Sequence, residues 1–199
     1  MGHLKDNTNQ SKTTVFSTLG ASNHSEFDRA DYDFYATEPK AVKLLMEVEN
    51  FSDNIWEPAC GLNHISNELA KKYNVRTSDI LDRGCGNEIL DFFEQNEIWD
   101  GDIITNPPYS LGMEFVYKAL KTVTIGHKVC MFLKVQFLEG KARRKLFEEY
   151  PPKIIYVSSS RLVCAKNGDF ENTKGSAVAY AWYVWEKGYV GDTIIKWIN

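Results

Sequence analysis

From residue 39 onward, apolar positions alternate between two rhythms. The stretch "PKAVKLLMEVEN" (residues 39–50) spaces its apolar residues along one helical face. It opens on a proline, which suits a first helical turn because its missing N–H is not needed there. "DNIWEPACG" (53–61) is a short strand stopped by a proline and a glycine, and "HISNELAKKY" (64–73) returns to helical spacing. The alternation continues through "NVRTSDI" (74–80) and "GDIIT" (101–105) as strands and "LGMEFVYKALKTV" (111–123) as a helix. "HKVCMFLKV" (127–135) is a strand, "EGKARRKLFEEY" (139–150) an amphipathic helix, and "PKIIYVS" (152–158) a strand. "SAVAYAWYVWE" (176–186) is the last strand the pattern gives.

Strands alternating with helices predict βαβ units, hence an α/β fold with a doubly wound, mostly parallel sheet covered on both faces. Only a helix-free loop (160–175) separates the last two strands. Such a link permits antiparallel pairing, so the last strand is expected antiparallel, at or near an edge. Ligands of open α/β sheets sit at the carboxyl ends of the strands. Those ends are Glu57, Asp79, Thr105 with Asn106, and the stretch after Val135.

The total of 199 residues fits a single domain, expected over 26–199 with no separate recognition domain. Residues 1–25, rich in Asn, Ser and Thr and without apolar period, are expected to be flexible, with local order near 15–19. A hydrophobic share of 43% and a charged share of 25% allow an ordinary buried core. The net charge of −4 argues against a protein held on nucleic acid by bulk charge alone, though not against a local basic groove. Four cysteines, far apart and without a CxxC pair, point away from a disulfide framework or zinc site and toward a reducing cytoplasm. No apolar run approaches membrane-spanning length, and the N-terminus carries no signal-peptide pattern.

Three short stretches carry candidate chemistry. "WEPACGLNHIS" places Glu57 at a strand tip and Gly61 in a turn before a helix, where backbone can approach a ligand closely. Asp79 ends the next strand, 22 residues on, about where doubly wound nucleotide folds hold ribose hydroxyls with an acid. Either acid alone is as readily a solvated strand end; two in register at successive strand ends favour a ligand. The third stretch, "NPPY" (106–109), ends a buried strand in a stiff corner with no spare N–H. The Asn106 amide oxygen and the Pro107 carbonyl supply two acceptors, Pro108 stiffens the corner, and Tyr109 adds a flat ring. That set suits a planar substrate bearing an –NH₂ group, and stacking on the ring is worth roughly 1–3 kcal/mol. Asn-Pro also opens plain turns; the place at a strand tip separates the readings.

Together, EPACG, Asp79 and NPPY resemble the S-adenosylmethionine-dependent DNA amino-methyltransferases, in particular small phage or prophage adenine-N6 enzymes. The resemblance runs from "LGASNHSEFDRADYDFYATEP" to "AYAWYVWEKGYVGDTIIKWI". It implies a seven-stranded, Rossmann-like methyltransferase sheet, S-adenosylmethionine as cofactor, DNA as partner, and the cytoplasm of a bacterium or phage-infected host. It also implies residue roles. Within "DFYATEP", which begins at Asp33, Tyr35 and Thr37 would contact the methionine end of the cofactor. Glu57 and Gly61 would lie in the cofactor loop, Asp79 on the ribose, and Asp91 and Phe92 of "ILDFF" at the adenine. Asn106 to Tyr109 would hold a flipped adenine, with Phe170 as a second stacking ring. No metal is implied.

The first motif departs from the family's CGxG, since Asn63 stands at the second glycine position. Asparagine tolerates left-handed backbone well, so the turn can survive, but its side chain could crowd the cofactor. Phosphate contacts are open to Lys141, Arg143, Arg144, Lys145, Arg161, Lys166 and Lys174, although charge runs are more often solvated faces. The same nitrogen chemistry would serve a cytosine N4, an RNA base or a protein glutamine amide. The spelling of the motifs favours adenine in DNA. A non-catalytic nucleic-acid-binding protein on the same fold is the alternative outside enzymes.

Overall fold

The computed structural model describes residues 34–173, 175 and 177–199. The expected flexible segment 1–25, Asp33 and Lys174 lie outside the described residues.

In chain order the elements are β1 (Tyr35–Thr37), α1 (Pro39–Val48), β2 (Asn54–Pro58), α2 (His64–Leu69), β3 (Asn74–Asp79) and β4 (Glu88–Ile89). There follow β5 (Asp102–Thr105), α3 (Gly112–Thr122), β6 (Lys128–Lys134), α4 (Lys141–Glu149), β7 (Ile154–Ser158), β8 (Cys164–Lys166), β9 (Tyr180–Glu186) and β10 (Ile194–Ile198). Eight strands form one sheet in the order β10-β7-β9-β6-β5-β2-β3-β4. All its pairs are parallel except those of β9 with β6 and β7. The fold is thus the doubly wound α/β sheet with an antiparallel strand that the pattern predicts.

Two separate apolar clusters explain why the strands read as continuous hydrophobic runs. On one face, α1 (Ala41, Val42, Leu45) and α2 (Ile65, Leu69) cover Ile55, Ile104, Phe132 and Trp182. On the other, α3 (Phe115, Val116, Ala119) and Leu146 of α4 cover Trp56, Ile103, Met131, Tyr183 and Trp185. Successive strand residues point to opposite faces, so Ile103 and Ile104 serve different clusters and neither face can be polar.

The antiparallel strand lies further inside than expected. β9 pairs on both sides, with β6 through Lys128↔Glu186 to Lys134↔Tyr180 and with β7 through Ile154↔Val184 to Val157↔Ala181. Its burial explains the place: every residue from Tyr180 to Trp185 is buried, and such a run could not line a solvent-facing edge. The edge belongs to β10, a strand outside the sequence pattern because Ile194, Ile195 and Trp197 stay about half or more exposed. The helix expected over 64–73 stops at Leu69, whose carbonyl then accepts from Lys72 and Tyr73 in a tightened last turn.

The chain starts the sheet in its middle with β2, moves outward to β3 and β4, then crosses back to β5 and β6. The winding reverses between β2 and β5, and a crevice opens at such a switch point. The Thr105 hydroxyl donates to the Pro58 carbonyl at 2.5 Å and ties the two strand ends across it.

Candidate active site

Beyond β2 the backbone turns through left-handed positions at Ala59 (φ 65°), Gly61 (φ 55°) and Asn63 (φ 61°) before entering α2. A side chain at Gly61 would put its Cβ 2.0 Å from a ring carbon of Phe34, so both conformation and space require glycine. Asn63 adopts the left-handed geometry that its residue type tolerates. Its Nδ2 donates to the Cys85 carbonyl at 3.2 Å, which ties the glycine turn to the loop after β3.

Both strand-end acids are buried and partnered. Glu57 accepts from the Ser66 backbone N–H at 2.8 Å and from the Ser66 hydroxyl. Burial pushes its pKa up to about 8, against the pull of those two hydrogen bonds. Asp79 accepts from the Gly61 N–H at 2.9 Å and from the Leu81 N–H at 3.0 Å. The acid placed for ribose hydroxyls therefore also holds the glycine turn, and each oxygen keeps a further lone pair. Asp91 is half-buried and accepts from the Phe93 N–H at 2.8 Å. Phe92 is buried and packs between Trp56 and Phe115, with ring centroids 5.3 Å from each.

The Asn-Pro-Pro-Tyr corner is built differently. Asn106 Nδ2 donates to the Tyr35 carbonyl at 2.8 Å and approaches Cys164 Sγ at 3.8 Å. Its Oδ1 is buried without a hydrogen-bond partner. The Tyr109 ring lies 5.6 Å from Tyr35 and 6.0 Å from Tyr180, with the Lys134 ammonium 4.5 Å from its centroid. Its hydroxyl is buried near Cys164 and Tyr180 without reaching hydrogen-bond geometry with either, and burial drives its pKa far upward. Burial likewise pushes the Cys164 thiol up to about 11.

What brings Tyr35 to Asn106 is a two-stranded ribbon, β1 paired antiparallel with β8 through Tyr35↔Lys166, Ala36↔Ala165 and Thr37↔Cys164. Glu38 clamps its end, accepting from the Val163 N–H at 2.9 Å. Thr37 Oγ1, also expected near the cofactor, is buried without a partner. The ribbon joins two segments that the sequence reading kept apart, one before the first helix and one inside the loop before β9.

Other expected residues are scattered. Phe170 packs 5.4 Å from the His64 ring, beside the glycine turn. On α4, Arg143 donates to the carbonyls of Gln136 and Glu139, and Arg144 pairs with Glu148 at 2.6 Å. Lys141, Lys145, Arg161 and Lys166 are exposed. The residues that sequence reasoning missed are Phe34 with Arg83 over its ring at 4.6 Å, His64, Lys134, Cys164 and Tyr180. Phe34 lies in the DFYATEP stretch and His64 in WEPACGLNHIS, though neither carries an expected role there, while Arg83, Lys134, Cys164 and Tyr180 lie outside the stretches with candidate chemistry.

No protein-family model matches the sequence, and no curated protein matches it. Solved structures do share the fold. A structure assigned as the modification subunit of a type I restriction enzyme from Vibrio vulnificus aligns with a TM-score of 0.59 at 12% identity. It covers 85% of this chain and 48% of its own, so this chain spans about half the length of that subunit. One assigned as an RNA methyltransferase from Pyrococcus horikoshii aligns at 0.52 with 15% identity, over 74% of this chain and 79% of its own. One assigned as a class I S-adenosylmethionine-dependent methyltransferase from Listeria monocytogenes aligns at 0.50 with 14% identity, over 78% and 62%. The sheet therefore shares the Rossmann-like fold of these structures. At these identities the likeness is one of fold, and what the chain does rests on its own residues.

Proposed function

We propose that the protein transfers a methyl group from S-adenosylmethionine to the exocyclic N6 amine of adenine in DNA. The observation that carries this reading is Asn106. Its amide nitrogen is committed to the Tyr35 carbonyl, and its oxygen is buried with no partner. An unsatisfied buried acceptor is costly and rare in a folded protein. A substrate N–H is the group that would satisfy it.

The cofactor would lie between the loops after β2 and β3 and the β1–β8 ribbon. Asp79 has lone pairs for ribose hydroxyls, the Gly61 turn leaves room for the Phe34 ring against it, and Tyr35 and Thr37 sit on the ribbon where the methionine end would lie. Glu57 holds the start of α2 through Ser66, with Asp91 and Phe92 beyond β4. When bound, S-adenosylmethionine supplies a methyl group activated on a sulfonium.

The amine of adenine is a poor nucleophile because its lone pair is delocalised into the ring. Asn106 Oδ1 and the Pro107 carbonyl would accept its two hydrogens and favour a pyramidal nitrogen with an available lone pair. The new N–CH₃ bond forms as the S–CH₃ bond breaks, and one amine proton then leaves to solvent. Positioning and preset dipoles supply the acceleration. The base must leave the duplex at a cost of a few kcal/mol, offset by stacking on Tyr109. A neighbour assigned as a restriction-enzyme modification subunit is in keeping with this substrate.

The test is transfer of tritiated methyl onto unmethylated DNA, RNA and protein, followed by nucleoside and amino-acid analysis. The expected product is N6-methyladenine in DNA. Label confined to RNA or to glutamine would replace the substrate while keeping the chemistry. No cofactor binding at millimolar concentration would remove the enzyme reading altogether.

A further inference from the structure

Lys134 is the last residue of β6, the strand beside the one that leads into Asn106, and so stands at the same carboxyl edge of the sheet. Its backbone is fixed, since its carbonyl accepts from the Tyr183 hydroxyl at 3.2 Å and the residue pairs with Tyr180 of β9. Its ammonium lies 4.5 Å from the Tyr109 ring centroid. Among the described residues no carboxylate lies within ion-pair distance of it, whereas Lys71, Lys128 and Lys153 each have one.

We propose that Lys134 binds a phosphate flanking the base held at the Asn-Pro-Pro-Tyr corner, which makes the substrate of the site a polynucleotide. The inference rests on the methyl-transfer reading above and narrows it. A base that stacks on Tyr109 competes with the ammonium for the same ring. Cation–π contacts at partly exposed rings are weak, so the ammonium yields readily when offered a better partner. Its flexible four-carbon stem lets it swing while the strand stays fixed. The partner a nucleotide brings within reach is the phosphodiester one sugar away from the base, and lysine binds phosphate as a point charge.

Charge balance points the same way. The reaction delivers positive charge to a nitrogen beside Tyr109, and an uncompensated ammonium there would oppose it. A phosphate on Lys134 removes that opposition, whereas a protein glutamine brings no anion. The basic helix α4 is a poorer candidate for this task, because Arg143 is tied to backbone carbonyls and Arg144 to Glu148.

The experiment uses a synthetic duplex built around the adenine, or an RNA built around the base, that the wild-type protein labels. The phosphate on each side is replaced in turn by a neutral methylphosphonate. For the wild type, one of the two replacements is expected to raise the substrate KM about tenfold at moderate salt. Lys134→Met keeps the apolar stem and should show that loss on the unmodified substrate, with no further loss on the methylphosphonate. Its salt dependence should be shallower by about one unit of log–log slope, with kcat and cofactor affinity unchanged. Lys134→Arg should restore the sensitivity. A wild type indifferent to both replacements overturns the inference, and so does a Lys134→Met protein as sensitive as the wild type. Label only in protein glutamine overturns it too, while methyl transfer itself stands. A protein that binds no cofactor fails at the earlier step and is recognised by that.

Discussion

The two sides of the switch point differ in how their strand-tip side chains are treated, although the loops after β2 and β3 also bury Asn63 Oδ1 and His64 Nδ1 without partners. On the β2–β3 side the acids are internally satisfied: Glu57 by Ser66, and Asp79 by the N–H groups of Gly61 and Leu81. On the β5 side, Asn106 Oδ1, Tyr109 OH and, on the ribbon, Thr37 Oγ1 are buried and unmatched. The first arrangement sets a loop geometry in advance. The second stores unmet hydrogen-bonding capacity at the corner where a substrate would arrive. The partnered strand-tip acids hold shape and the corner keeps capacity for a ligand, so substitutions at the two should have opposite profiles.

The largest expected effect is on the unmatched side. Asn106→Ala should lower kcat by about 10²- to 10³-fold, the usual loss for one preset polar group at a reacting centre. Thermal stability should change little, because loss of the Nδ2 bond to the Tyr35 carbonyl is set against removal of an unsatisfied buried oxygen. Single-turnover transfer with calorimetry against S-adenosylmethionine checks both halves; lost cofactor binding would contradict the division of labour. Next comes Gly61→Ala on the satisfied side. A Cβ 2.0 Å from the Phe34 ring, at φ 55°, should cost roughly 1–3 kcal/mol of stability. Cofactor affinity should fall about tenfold or more as the turn or Phe34 shifts. Asp79→Asn preserves shape but removes the charge that two backbone donors face. A loss of roughly 1.5–3 kcal/mol in denaturant unfolding is expected, with weaker cofactor binding and little effect on the chemical step.

The smallest effect at neutral pH belongs to Glu57→Gln, and it shows in pH dependence. Burial raises the folded pKa of Glu57 to about 8 from an unfolded value near 4.5. Between those values the folded state holds a proton that the unfolded state has released. Stability therefore falls as pH rises through that window, by up to a few kcal/mol. Glu57→Gln should flatten this slope, and urea midpoints at pH 5 and pH 8 measure the difference. An unchanged slope would mean that Ser66 keeps the carboxylate charged.

How much of this was legible in the sequence varies with the range of the interaction. The strands carrying Glu57, Asp79 and Asn106 announce themselves locally, because apolar runs between helical periods admit few other folds. Proline and glycine at the strand tips mark where the chain must turn. The left-handed Asn63 was legible for the same local reason. Phe92 looked like a pocket residue, while its ring packs against Trp56 and Phe115 in one of the two cores. Phe170 looked like a partner for Tyr109, while its ring contacts His64.

The amino-acid sequence by itself determined the α/β class, the parallel winding, the strand-end acids and the stiff corner, since each depends on hydrophobic period or backbone restriction within a few residues. The tertiary structure decided that β9 lies inside the sheet and that β10 takes the edge. It also decided that β1 and β8, more than a hundred residues apart, pair into the ribbon whose Tyr35 carbonyl orients Asn106. Strands of three residues carry too few side chains to show a period. Their pairing is settled by which backbone groups remain unmatched once the sheet has formed.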